Sequence, residues 1–533
     1  MSSMSRGYAA LAGITAAAVA IGAAEPVAVL TGARSAPLVA VGSVVVDTVP
    51  EPLKQFAIAV FGTYDKIALL VGTGLVLAGI AALLGMAAVR RLGVGMAGIA
   101  AFAALGVAAA LTRAGADAAD ALPSLVGAGL GALVLWLLIA GPLQPAPWPW
   151  SPPTPTTPAA SAPAGGAGSA RPGDAGADPA GRRRFLTGVG ALTGAAAVAG
   201  LGGHWLAGRR GVSAARRAVV LPAPASPAPA VPAGADLALA QLAPYVTPTP
   251  EFYRIDTALV VPQVDPESWR LRIHGRVRNP VELSFADLLA RPMVERHITL
   301  ACVSNEVGGD LVGTARWLGV PIRELLDEVQ PEEGADQVVG RSVDGWTCGT
   351  PTAVLRDGRD ALLAVGMNGG PLPIEHGFPV RMVVPGLYGY VSACKWVTEL
   401  ELTSFADFDA YWVPRGWSAQ GPIKTQSRID TPRPRNRLTA GPVAVAGVAW
   451  AQHRGIRTVE VRVDQGPWQE ATLAPTASVD TWVQWSWRWV ATPGEHTLQV
   501  RATDADGETQ TERRQRVDPD GATGWHTVKV TVR

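Results

Sequence analysis

The sequence predicts a multi-domain chain: an N-terminal all-α transmembrane bundle, then an α+β domain, then an all-β sandwich. Three observations predict it. Residues 1–141 carry thirteen charged side chains, seven basic and six acidic, among long Ala, Val, Leu and Gly runs. Two Pro-rich stretches interrupt the 533-residue chain before it becomes an ordinary charged sequence beyond Pro250. Past Leu438, apolar residues recur at every second position between Gly-containing turns, which is the period of half-buried strands. One soluble globule is thereby excluded. The net charge of +1 offers no concentrated basic surface, so nucleic acid is not an expected partner. Three cysteines without a CxxC pair support neither a disulfide scaffold nor a zinc site.

A bilayer core is about 30 Å thick and needs about 20 apolar residues per helix. Four segments of 1–141 meet that length: Tyr8–Leu30, Ile67–Val89, Leu92–Leu111 and Leu122–Ala140. Their frequent glycines suit close helix contact in lipid. The stretch Ala36–Val49 is apolar but short, and is expected to be interfacial or re-entrant. Residues 142–181 hold eleven prolines in forty positions and read as a disordered, partly polyproline linker. Residues 182–208 form a fifth candidate span, entered through Arg182-Arg183-Arg184-Phe185-Leu186. That entry resembles a twin-arginine export signal, here internal. It reads equally as a cytoplasmic anchor under the positive-inside rule, and both readings place Arg182–Arg184 in the cytoplasm. Arg90 and Arg91 agree with that orientation, whereas Arg209, Arg210, Arg216 and Arg217 run against it. Five spans then put the remainder on the extracytoplasmic side of a bacterial cell membrane. The spans hold no ionisable pair, so nothing supports a translocation path.

Residues 209–250 form a second, Pro/Ala linker, and 251–437 read as mixed α/β. Trp269–Gly275 alternates as a strand, and Ser284 is placed to cap a short helix. Ile298–Cys302 is an apolar run stopping at Val303-Ser304-Asn305-Glu306-Val307-Gly308-Gly309. Trp317–Pro321 leads into a helix over Ile322–Val329. Cys302 thus sits where an apolar strand meets a Gly-rich loop, a place where reactive groups are presented.

Several motifs follow in order: Phe252-Tyr253-Arg254, Cys302 with Asn305, Trp317–Pro321, Met367-Asn368-Gly369 and Leu372-Pro373. Then come His376-Gly377-Phe378-Pro379-Val380-Arg381, Pro385-Gly386 and Lys395-Trp396. As an ordered set over about 250–533 they resemble the sulfite oxidase family of molybdopterin-dependent oxidoreductases. The resemblance implies a Mo-molybdopterin cofactor, with Cys302 as the metal ligand. A thiolate suits a thiophilic metal, which itself holds the sulfur deprotonated. It further implies cofactor contacts from Phe252, Tyr253, Arg254, Asn305, His376, Arg381 and Lys395, with Asp344 as a looser match. Arg forks suit the terminal phosphate of the pterin. Arg254 and Tyr411 are the candidate catalytic side chains beside Cys302; Tyr411 reads almost equally as a packing aromatic.

Two departures bear on the substrate. The family follows its cysteine with arginine-bearing sequence, and here Asn305-Glu306-Val307 stands there. The early Arg motif continues as Ile255-Asp256 instead of Asn-His. Such a charge pattern favours sulfite less. Cys348 and Cys394 are either a disulfide or two separate buried thiols. In 438–533, Val459, Val461 and Val463 alternate, Trp485, Trp487 and Trp489 share a face, and His496–Ala502 alternates again. This pattern predicts an immunoglobulin-like sandwich, which the resemblance makes the family's dimerisation domain, so a homodimer is possible. His453 and His496 read as ordinary polar residues.

The expected function is two-electron oxygen-atom transfer on a small, sulfur-containing substrate, in the manner of a sulfite oxidase or a sulfoxide reductase. None of the seven histidines lies in the first four spans, and His204 stands alone near the end of the fifth. No haem is therefore expected, and electrons pass to or from a separate electron-transfer protein or a quinone-linked partner. The alternative is a membrane-anchored binding or assembly protein with an inactive molybdopterin fold.

Overall fold

The computed structural model describes residues 4–49, 65–113, 116–145, 179–209 and 211–533. Most of the expected 142–181 linker, residues 146–178, lies outside them. The chain divides into two compact units, Met1–Gly211 and Val212–Arg533.

The first unit is helical, with five helices long and apolar enough to cross a membrane. They are Arg6–Thr31, Asp65–Arg90, Leu92–Leu111, Leu122–Ile139 and Pro179–Arg209. Arg6–Thr31 is the hub, packing against Asp65–Arg90, Leu122–Ile139 and Pro179–Arg209. Small residues make this possible. A Cβ on Gly13 would stand 2.9 Å from the Ala81 carbonyl carbon, so a larger side chain would push those helices apart. Val71, Leu75, Val76 and Leu83 instead point outward and are exposed, an arrangement that water disfavours and lipid does not. Pro37–Thr48 is a helix of 12 residues, about 18 Å long and too short to span a bilayer, as its sequence implied. Arg182–Arg184 lie in the first turns of Pro179–Arg209, where Phe185 is fully buried edge-on against Tyr8.

The second unit opens with a correction. The Pro/Ala segment 209–250 is no free linker from Val212 onward, because it is laid along the domain that follows. Ala225 N donates to Met293 O at 2.7 Å, Thr247 N donates to Thr314 O at 2.8 Å, and Arg216 donates to the carbonyls of Pro371 and Leu372. Tyr245 is 1% exposed, and its hydroxyl sits 2.8 Å from Thr481 Oγ1. Prolines keep such a strip extended without needing a ladder of their own, and neighbouring strands satisfy the remaining amides.

Two five-stranded sheets build the α+β region. One orders Val281–Ser284, Arg270–Gly275, Val397–Thr403, Gln337–Ser342 and Thr347–Pro351. The other carries Val294–Ala301, Val312–Pro321, Leu362–Met367 and Gly370–Pro371, with Arg381–Val383 paired to Leu362–Met367. Ser284 caps the helix Phe285–Leu289 in a reciprocal box with Asp287, as expected. Helix Ile322–Val329 buries Ile322, Leu325, Leu326 and Val329 on one face.

The C-terminal region is two sheets around one core. Val445, Trp485 and Trp489 come from one sheet, and Val459, Val461, Leu498 and Val500 from the other. The tryptophan stripe is therefore core. The boundary expected at 438 moves earlier, because Gln426–Thr431 pairs with Gly441–Trp450 and belongs to this region.

Candidate active site

The strand Val294–Ala301 becomes fully buried towards its end and delivers Cys302 into a tight loop. Cys302 N donates to Leu311 O at 2.9 Å, and Asn305 N donates to Cys302 O at 3.1 Å. Asn305 Oδ1 accepts from Leu311 N at 2.9 Å, which closes the loop from within. Cys302 is 8% exposed. Burial pushes its thiol pKa up, and hydrogen bonds from Ser304 oppose that rise.

A row of groups from distant segments leads away from this sulfur. Tyr253 feels the charge of both Cys302 and Arg381, and burial raises its phenol well above the usual range. Its ring stacks on Phe252, which meets Trp317 and His376 edge-on. Arg381 is 6% exposed, lies over the Trp317 ring and donates from Nη1 to His376 O at 3.1 Å. Burial lowers Arg381 to about 10, and no carboxylate pairs with it among the described residues. His376 is pushed down to about 3 by burial and by the charges of Arg381 and Lys395, so it is neutral. Lys395 Nζ reaches Asp256 Oδ2 at 3.0 Å and Glu375 O at 3.3 Å. The same Asp256 oxygen accepts from Arg254 Nε at 2.9 Å. Gly377 holds φ at +111°, and a Cβ there would lie 3.0 Å from that of Arg381 and 3.1 Å from that of Lys395. Only glycine lets the two cations flank that turn.

Residues 258–412 match the model of the oxidoreductase molybdopterin binding domain. The mitochondrial sulfite oxidase of Rattus norvegicus is 31% identical over 287 residues, covering 46% of this chain and 52% of that protein. The uncharacterized oxidoreductase YuiH of Bacillus subtilis (strain 168) is 34% identical over 159 residues, 30% of this chain and 76% of its own length. The chain belongs to the sulfite oxidase family. It spans about half the length of the curated sulfite oxidases it matches, 52% for the rat protein and 49% for that of Homo sapiens. Among solved structures, the sulfane dehydrogenase SoxCD from Paracoccus pantotrophus aligns with a TM-score of 0.48 at 24% identity, covering 54% of this chain and 81% of that chain.

A molybdopterin of the sulfite oxidase family fits the residues present. Among the described residues, Arg381 is a buried cation without a paired carboxylate, a costly arrangement that a cofactor phosphate would relieve. A soft thiol stands at the other end of the row. The expected residues Phe252, Tyr253, Arg254, His376, Arg381 and Lys395 are thus assembled together with Cys302. Asn305 is near too, but its amide oxygen is spent on closing the loop. Asp344 caps the turn after Gln337–Ser342, accepting from Trp346 N at 3.2 Å, and acts electrostatically on Cys394. Tyr411 is held elsewhere: its amide donates to Thr347 Oγ1, Arg415 lies 3.7 Å over its ring, and Trp412 meets it edge-on. The tyrosine that feels Cys302 beside Tyr253 is Tyr388, raised to about 12 by burial. It lies three residues past the Pro385 that began a recognised motif. Cys348 and Cys394 are both free, buried thiols.

Proposed function

We propose that the chain is a membrane-anchored, extracytoplasmic molybdenum oxidoreductase acting on a small sulfur-containing substrate. The observation that carries this reading is that buried Tyr253 stands in the field of both the buried thiol Cys302 and the buried cation Arg381. Cys302 would hold the metal and Arg381, Lys395, His376 and Arg254 the pterin, whose bound metal supplies two-electron oxygen-atom transfer. The chain's own part is binding and orientation. Burial favours the protonated thiol of Cys302, and a metal bound there would hold the sulfur as thiolate, its proton being released to solvent. His376, kept neutral by burial and by the neighbouring cations, adds no charge to the cluster. Burial keeps the phenols of Tyr253 and Tyr388 protonated, and both feel the charge of Cys302.

Exposed Glu306, within the loop that presents Cys302, supports a substrate of lower charge than sulfite. Both directions, sulfite-oxidase-like and sulfoxide-reductase-like, remain within this proposal. Electrons would be exchanged with a separate carrier protein or a quinone-linked partner, without haem in this chain. The five apolar helices support a membrane anchor, the arginines of Arg182–Arg184 a twin-arginine route, and the two-sheet C-terminal core an immunoglobulin-like sandwich able to dimerise.

Metal and pterin analysis of the purified chain, followed by a screen of sulfite and sulfoxides, tests the reading. Cys302→Ser is expected to abolish turnover while leaving the fold intact. Full turnover in that variant, or a wild-type chain without molybdenum and pterin from a competent host, would refute it, and the second result favours an inactive binding protein.

A further inference from the structure

Asp256 departs from the family pattern, and the structure gives it a definite position. Its side chain is 4% exposed, yet one oxygen serves two cations, Arg254 at 2.9 Å and Lys395 at 3.0 Å. Arg254 is 41% exposed in its side chain and Lys395 10%, so the carboxylate joins a solvent-facing cation to a buried one. Arg381 acts on Lys395 and on His376, which places a third cation in the same field. His376 is neutral, and Glu375 contributes only its carbonyl to Lys395, its side chain being exposed. Three cations and one carboxylate leave a net +2, the complement of a phosphate monoester dianion. Without Asp256 the cluster would be +3, Arg254 would lose its carboxylate, and Lys395 would keep only the Glu375 carbonyl and the Trp396 ring to direct it.

We propose that Asp256 is a positioning residue that holds Arg254 and Lys395 at the phosphate end of the cofactor cleft and sets its net charge. This rests on the molybdopterin reading of the site. Asp256 need not touch the metal or substrate, since it acts through the two cations. A consequence follows for pH. Burial pulls Lys395 down to about 8, Arg381 and Arg254 pull the same way, and Asp256 opposes them. The Lys395 charge is therefore present below about pH 8 and lost above it, and losing Asp256 moves that loss to lower pH.

The experiment uses the full-length holoenzyme in detergent, with pterin release followed by fluorescence after dilution into excess inorganic phosphate across about pH 6 to pH 9. In Asp256→Asn, release is expected to be about tenfold faster than in wild type near neutral pH, with its rise displaced to lower pH. Asp256→Glu, which keeps the charge, is expected to restore most of the retention. A release rate and pH profile in Asp256→Asn equal to wild type would overturn the proposal. Should that variant not fold, Arg254→Gln carries the test, because it removes one of the two cations that Asp256 holds. Faster release is expected there, and an unchanged rate overturns the proposal. A wild-type chain that holds no pterin at all overturns the molybdopterin reading itself, so the two failures are distinct.

Discussion

His376 shows how a single side chain ties the site to stability. Its imidazole has an ordinary pKa of 6.5 and is pushed to about 3 in the folded chain, burial being the largest cause. The unfolded chain therefore binds the extra proton first. The neutral ring's contribution is complete above pH 6.5 and falls away as the pH drops towards about 3. The loss amounts to roughly a few kcal/mol. Denaturant unfolding of the Val212–Arg533 unit between these pH values is expected to show falling stability, and His376→Gln should flatten that slope. An equal slope in both proteins would locate the acid sensitivity elsewhere, with His526, lowered to about 4, the next residue to replace. Cys302 was legible from its neighbours in sequence, an apolar strand followed by glycines. Tyr388 and Asp256 were not, because each gains its meaning from a partner far along the chain: Tyr388 from Cys302, Asp256 from Lys395. Tyr411 could not be placed from sequence for the converse reason, since its neighbours Arg415 and Trp412 come from its own stretch of chain and motif context does not reveal them.

Among the elements, the loop Cys302–Leu311 depends on Asn305 and on the C-terminal region. Arg428, in the strand Gln426–Thr431, donates to Gly309 O at 2.7 Å and is paired with Asp430. His526, from the last strand, lies directly against Gly308, where a Cβ would meet its ring. The loop that presents the sulfur is thus gripped from outside by strands of both C-terminal sheets. Asn305→Ala is expected to cost about 1–2 kcal/mol, because Leu311 N loses its acceptor in a half-buried loop. Thermal unfolding measures that cost, and a shift within error would show that water replaces the amide without penalty. The strands and helices themselves were readable, since periodicity and caps are local. The Pro/Ala segment was not, because its backbone partners are Met293, just ahead of the strand Val294–Ala301, and Thr314, within Val312–Pro321, both far along the chain.

At the scale of the molecule, the two units differ in what keeps them folded. The first has apolar side chains such as Leu75 and Val76 outside and small residues such as Gly13 and Ala16 between its helices, which suits lipid as solvent. The second has a continuous core in which Val448, Trp450 and Trp482 of the C-terminal region join residues of the α+β region. Removing residues 1–211 is expected to yield a soluble protein that still retains pterin, assayed by ultracentrifugation and pterin content. Aggregation of that fragment under native conditions would show that the helical unit is required for folding.

The sequence by itself determined the division into an apolar helical quarter and a charged remainder, the position of most strands, the thiol Cys302 and the family. All of these are written in short-range patterns of hydropathy, turn residues and ordered motifs. Tertiary structure alone decided that the Pro/Ala strip is part of the second unit, that the C-terminal sheets begin at Gln426, and that Asn305 closes a loop. It alone set Asp256 between Arg254 and Lys395. The physical reason is common to all four: backbone amides, buried cations and carboxylates must find partners, and the partners they find here lie on strands and loops that chain topology, not sequence neighbourhood, brings alongside.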